Sequence, residues 1–325
     1  WSSVFNISSD MARSEIGPAM VVLIGIMALQ LPLAAVQRLQ EGLQEGYVNN
    51  LWQAAASCAA LAGLLLVVHL KLGLPWLVAA VAGAPVLAFA LNSAVQYWWK
   101  RPWLKPRLQF VRRAVSVDLI RSGGIFFVLA LLTFAGIYSD NFVISQMLGA
   151  AAVADYAVVQ RLSLVAHLFW AFIIPLWPAY SEAISRGDHA WLRRTFESAL
   201  KASLAFGILM GLGLALFGSH IIRLWVGPGV EAGPWLIYGF ASYMVLSCLI
   251  GNIAVVMNSG PLLHQQLWLL TGAAVTAVSL KIILALHYGI AGVIWATVIA
   301  FSFLYVLPGL WIIRRFMTAR HAIPS

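Results

Sequence analysis

The sequence predicts an all-α polytopic membrane protein, and three observations carry that prediction. The composition is 62% hydrophobic and only 10% charged, against roughly 45–50% and about 25% in soluble domains. Nine apolar runs reach roughly the 20 residues a helix needs to cross a bilayer. The basic residues gather on alternate loops, as they do in multi-pass proteins. A net charge of +9 therefore reads as basic loops at a membrane surface rather than a nucleic-acid footprint.

The apolar runs cover residues 17–36, 51–70, 75–97, 119–148, 153–178, 198–218, 234–257, 265–286 and 290–313. Pro32, Pro85, Pro175 and Pro308 fall in or near their ends, which membrane helices tolerate where neighbours or water satisfy the freed carbonyls. One set of connections, 37–50, 98–118, 179–200 and the C-terminal tail, carries fourteen Lys and Arg counting helix ends, against Arg13, Lys71 and Arg223 on the other side. That asymmetry assigns the first side, and the C-terminus, to the cytoplasm. Trp98–Asp118 is the longest basic loop; with Trp98, Trp99 and Trp103 it fits an interfacial linker against anionic lipid. His189–Lys201 reads as a second interfacial piece. Cys58 and Cys248 lie singly within apolar runs, the pattern of packed thiols rather than of a disulfide or metal framework.

A shift of 216 residues superposes Glu15-Ile16-Gly17-Pro18 on Glu231-Ala232-Gly233-Pro234, Leu51-Trp52 on Leu267-Trp268, Gly73 on Gly289 and Ala80 on Ala296. The first three spans are thereby paired with the last three. The chain opens at Trp1 rather than Met, and the repeat leaves three middle spans without counterparts, so a further three helices are expected before Trp1. The predicted architecture is two pseudo-symmetric six-helix lobes around a central cavity, with the first three helices of the first lobe absent here. Residues 1–97 are the remainder of the N-terminal lobe, 98–118 the linker, 119–313 the C-terminal lobe and 314–325 a cytoplasmic tail. Parallel repeats of this kind occur in alternating-access transporters.

Charges inside the spans are candidate functional residues, because an unpaired one costs about 2.5–3.5 kcal/mol at mid-bilayer. Asp140 lies nine residues before Gly149, and Arg161 eight after Val153. At 1.5 Å per residue both are about 12–14 Å below the same face. They are expected either to pair with each other or to face a cavity, with Arg161 attracting an anionic cargo. Lys281 is about five residues from the end of its span and can snorkel; Asp118 and Arg121 can pair at i,i+3. His167 is expected to be a packed, neutral histidine, and Trp170 and Gln160 to be core, with the cavity wall as their alternative. The sequence contains no phosphate-binding loop, nucleophile–base spacing or acidic metal cluster, so neither an enzyme nor a bound cofactor is expected.

The runs Asp140-Asn141, Ile144-Ser145, Leu148-Gly149, Val153, Tyr156-Ala157-Val158 and Arg161 resemble the bacterial polysaccharide transporters. So do Pro175–Ala183, Arg186-Gly187-Asp188 and Ile222-Xaa-Leu224-Trp225-Val226-Gly227. These are the Wzx-like O-antigen and exopolysaccharide repeat-unit flippases of the multidrug/oligosaccharidyl-lipid/polysaccharide exporter superfamily. The resemblance implies two six-helix bundles in a V. It also implies a location in the bacterial inner membrane and a polyprenyl-pyrophosphate-linked oligosaccharide as cargo. Beyond membrane lipid, contacts with polysaccharide polymerase machinery are a further implication. The candidate substrate pathway is Asp140, Asn141, Arg161, Lys281 and Arg121. A multidrug or cation antiporter of the same superfamily is the alternative, favoured by an acidic cavity; a membrane glycosyl-transfer enzyme would need a large outer loop.

Overall fold

A computed structural model describes residues 10–43, 45–107, 109, 112–227 and 232–319, and all regular structure among them is helical. Glu231, one member of the repeat, and the tail from Arg320 lie outside the described residues. The chain divides into two compact units, Trp1–Arg112 and Arg113–Ser325.

The first unit is built on α4 (Leu74–Ala94), which α1 (Asp10–Leu33) and α3 (Gly46–His69) both pack against. The lipid-length helices expose Leu31, Val21, Leu51 and Leu87, as helices bathed in hydrocarbon do. Polar residues are turned inward. Gln40, on the short α2 (Ala35–Gly42), exchanges two amide hydrogen bonds of 2.9 and 3.0 Å with Asn92 of α4. The Glu15 carboxylate accepts from the Leu74 N–H at 2.7 Å, capping α4 where an anion complements the helix N-terminus. Glu15 and Gly73, two positions of the sequence repeat, thus meet: a Cβ on Gly73 would come within 2.5 Å of the carboxylate. At the other end Arg101 holds Glu45 by two bonds of 2.7 and 2.8 Å. Trp98, Trp99 and Trp103 are exposed, and the Lys105 ammonium stands 4.6 Å over the Trp98 ring. Cys58 is exposed on α3 rather than packed.

The second unit surrounds α11 (Pro234–Asn258), which is buried nearly all round. Before it come α5 (Arg113–Thr133), α6 (Asp140–Met147), α7 (Ala150–Ser163), the single turn α8 (Trp170–Ile173), α9 (Leu176–Arg186) and α10 (His189–Val226). Helicity therefore begins at Arg113, inside the stretch expected as linker. His189–Lys201 is likewise no separate piece: it forms the first turns of α10, capped by Asp188, whose carboxylate accepts from the Trp191 N–H at 2.9 Å. At 38 residues α10 is about 57 Å long, far beyond a hydrocarbon core of about 30 Å. It lies tightly on α11: a Cβ at Gly207 or Gly211 would come within 2.9 Å of Val245 Cα or 2.7 Å of the Ala241 carbonyl, the small-residue approach that membrane helices use. Within the interface Asn252 donates to the Ser203 hydroxyl.

The last two spans run as α12 (Leu263–Phe301), broken at Gly289, where φ is 60° and ψ −146°, before α13 (Leu307–Ala319). Gly292 presses on the Leu284 backbone. In a straight helix those residues would stand about 12 Å apart, so the chain doubles back at Gly289. The eight long apolar helical stretches among the described residues thus resolve into nine membrane-length segments, in line with the nine apolar runs.

Candidate functional site

The deepest polar constellation of the second unit forms where α5 gives way to α6. The end of α5 widens into a π-helical turn, Phe134–Tyr138. Gly136 in that turn lies against α12 with no room for a side chain, since a Cβ would meet Phe301 at 2.8 Å and Ala274 Cα at 3.1 Å. The close approach lets a side chain of α12 reach the α5 backbone, and that side chain is Lys281. Its ammonium donates to the Gly136 carbonyl at 2.6 Å and the Ser139 hydroxyl at 3.2 Å, and pairs with Asp140 Oδ1 at 2.5 Å. The ammonium thus has two hydrogen-bond acceptors and one ion-pair partner. The Tyr156 hydroxyl of α7 donates to the other carboxylate oxygen. Asp140 is 2% exposed, and Lys281 and Tyr156 are 0%.

The expected partner of Asp140 was Arg161, and the structure corrects that: the partner is Lys281. Arg161 lies on the exposed side of α7. The buried face of that helix is set by Tyr156, Val159 and Ser163. Arg161 is two residues from Val159, about 200° round the helix, so equal depth does not bring it to Asp140. Lys281 does not snorkel either. It continues a stripe of Ala273, Ala277 and Ala285, all at most 1% exposed, and four-residue spacing keeps it on that packed face. Asn141 is exposed and donates to Gln160 Oε1 at 3.3 Å. Arg121 and Asp118 are both exposed on α5, with no ion pair joining them among the described residues. Of the five candidates, Asp140 and Lys281 meet, and Asn141, Arg161 and Arg121 stand apart from them.

Beside the ion pair lies a small pocket lined by Asp140, Gln160, Ser163, His167 and Tyr243. Ile137, Tyr138, His167 and Tyr243 also line a larger, partly open cavity of about 300 Å³. Trp170, expected as core with the wall as its alternative, and His167, expected as a packed histidine, are wall. Sequence reasoning missed Tyr156, Ser139, the Gly136 carbonyl and the half-buried Asp155. The alanine stripe around Lys281 was the available signal for its burial. Nothing in the sequence marked a π turn. Chemically the constellation is a closed neutral unit that ties α5, α6, α7 and α12 together. Among the described residues no cluster of His, Cys, Asp and Glu could hold a metal ion.

The family described as "Polysaccharide biosynthesis protein" matches residues 6–184, more than half of the chain. The chain belongs to that family. This polysaccharide biosynthesis family member is also 26% identical over 210 residues to the "Putative O-antigen export protein" of Yersinia pseudotuberculosis, covering 62% of this chain and 46% of that one. It thus spans about half the length of the relative it matches. Among solved structures, it is similar to an inward-facing multidrug resistance MATE family transporter of the MOP superfamily (TM-score 0.78, 16% identity, 100% of this chain and 77% of that one). An outward-facing MATE family transporter of the MOP superfamily matches at TM-score 0.75 and 14% identity, over 93% and 70%. A MATE protein in the bent conformation matches at 0.74 and 16%, over 93% and 68%. At such identities the likeness establishes the fold alone, an all-α polytopic fold shared with those MATE structures.

Proposed function

We propose that this family member is an alternating-access transporter that carries a lipid-linked oligosaccharide across the bacterial inner membrane, with its C-terminus in the cytoplasm. The single observation behind the choice of cargo is electrostatic. Lys281 already neutralises Asp140, whereas Arg161, inside an apolar span, is exposed and makes no ion pair among the described residues. The second unit therefore offers an unpaired guanidinium at Arg161, while the Asp140 carboxylate is already engaged and half-buried Asp155, near the start of α7, is the one other carboxylate of that span. A guanidinium binds phosphate oxygens bidentately, which suits a polyprenyl pyrophosphate. Such a cargo needs a protein path because its sugar hydroxyls lose their hydrogen bonds in hydrocarbon. The family and the Yersinia relative support the same reading.

A second reading, export of drug cations against an ion gradient, has the solved structures behind it, since those similar to this chain are MATE proteins. Taken alone, they favour it over the glycan. The test measures glycan export and ethidium efflux side by side, in a flippase-null strain carrying the full-length protein. The glycan reading expects export, reduced at least tenfold by Arg161→Gln and partially by Arg161→Lys, at unchanged protein level. Arg161→Gln exporting as well as the parent removes Arg161 from the cargo path. Ethidium efflux without glycan export establishes the second reading.

A further inference from the structure

The ion pair and Arg161 leave the larger cavity of the second unit without a role. Its volume is about 300 Å³, the lower end of the roughly 300–1,000 Å³ of small-molecule sites. Seven of its eighteen lining residues are Phe, Tyr or Trp. The Phe126 and Trp177 rings lie 5.9 Å apart, and those of His167 and Trp170 5.4 Å apart. Trp170 is held in place by its indole N–H donating to the Ser247 carbonyl at 3.3 Å, over Gly251, where a Cβ would come within 3.0 Å of the indole nitrogen.

The polar groups of the wall are uncharged side chains. No Asp, Glu, Lys or Arg lines the cavity among the described residues. Gln266 donates its amide N–H to the Tyr305 hydroxyl at 3.3 Å, but its Oε1 has no partner. Asn258 Oδ1, on another lining residue, is also without one. The Thr133 and Ser247 hydroxyls already donate to their own helices, at 2.8 and 3.0 Å, so they have only lone pairs left. Buried polar atoms are normally satisfied, and here two amide oxygens lack donors while Tyr138, Tyr243 and Tyr305 bring hydroxyls to the same wall, so a ligand that both donates and accepts is called for. A lipid tail or an aromatic drug has no hydroxyls to do both, and a phosphate or a drug cation finds no counter-charge.

A pyranose ring answers both halves of this wall. It carries several O–H donors around its rim and a C–H face that lies flat on an aromatic ring, it is neutral, and one residue fits the volume while a chain does not. We propose that this cavity holds a single sugar ring of the cargo, a specificity site separate from the Arg161 phosphate contact. The proposal rests on the glycan reading above.

The test uses the full-length protein in a detergent without a sugar headgroup, lauryldimethylamine oxide. Tryptophan fluorescence is titrated with the methyl glycosides of glucose, galactose and N-acetylglucosamine, and with cyclohexanol as the ring that lacks their hydroxyls. At least one glycoside is expected to bind saturably and cyclohexanol not. Ala254→Leu, which fills the cavity from α11, is expected to weaken binding at least tenfold and to leave the thermal midpoint unchanged or raised; Gln266→Leu is expected to weaken it as well. Absence of saturable binding by all three glycosides, equal binding by the filled variant, or equal binding of cyclohexanol overturns the proposal. Parent export measured in the flippase-null strain separates the two ideas. Export without glycoside binding sinks the sugar site and leaves the glycan reading standing, whereas no export by the parent removes both.

Discussion

Removing the Lys281 ammonium, by Lys281→Met, leaves the Asp140 carboxylate with the Tyr156 hydroxyl as its one remaining donor. Asp140→Asn leaves the ammonium with the Gly136 carbonyl and the Ser139 hydroxyl. An isolated buried charge escapes by neutralising. Bringing a carboxyl from its ordinary value near 3.9, or an amine from near 10.4, to pH 7 costs about 4 or about 5 kcal/mol at 1.36 kcal/mol per unit. That ceiling agrees with the roughly 3–5 kcal/mol lost when one partner of a buried pair is removed. For a unit of about 200 residues, 1 kcal/mol moves the midpoint by about 2–4 °C, so each single variant should melt about 6–20 °C lower. The double variant Asp140→Asn/Lys281→Met, which buries no charge, should recover most of the loss. The assay is the thermal midpoint of purified full-length protein in detergent across the four-member cycle, which isolates the coupling between the two side chains. Additive losses, with the double variant as poor as the sum of the singles, would refute the argument that the two charges compensate each other. Arg161→Gln in the same assay should stay within about 0.5 kcal/mol of the parent, as exposed substitutions do.

Gly211→Ala should be destabilising even though alanine is the better helix former. Its Cβ meets the Ala241 carbonyl at 2.7 Å, and forced separation of packed elements costs about 1–3 kcal/mol; a raised midpoint would show that α10 and α11 yield freely. The Arg101 guanidinium, hydrogen-bonded to Glu45, holds that carboxyl below its ordinary 4.5. Its stabilisation is therefore complete above about pH 4.5 and is lost as pH falls through the depressed value. The midpoint difference between the parent and Glu45→Gln should shrink on acidification below that point, and a difference independent of pH would contradict the pair.

The two levels of information divide along a physical line. Membrane crossing is a property of local composition: hydrocarbon demands some twenty apolar residues with every backbone group bonded inside the helix. Nine membrane-length segments, the all-α class and the turn-back at Gly289 could therefore be read from residue order alone. Position along a helix axis was legible too, because rise per residue is constant. Azimuth was not. Whether Asp140 meets Arg161 or Lys281 depends on which face of α7 and α12 points inward, and that is set by Tyr156, Val159 and the alanine stripe packing against helices distant in sequence. A carbonyl freed in the π turn at Gly136, and a cavity whose walls come from α5, α11 and α12 together, have no local sequence pattern. Helix period and span length are short-range consequences of covalent geometry, whereas pairing and cavities arise only once the helices are packed, and the tertiary structure alone decides them.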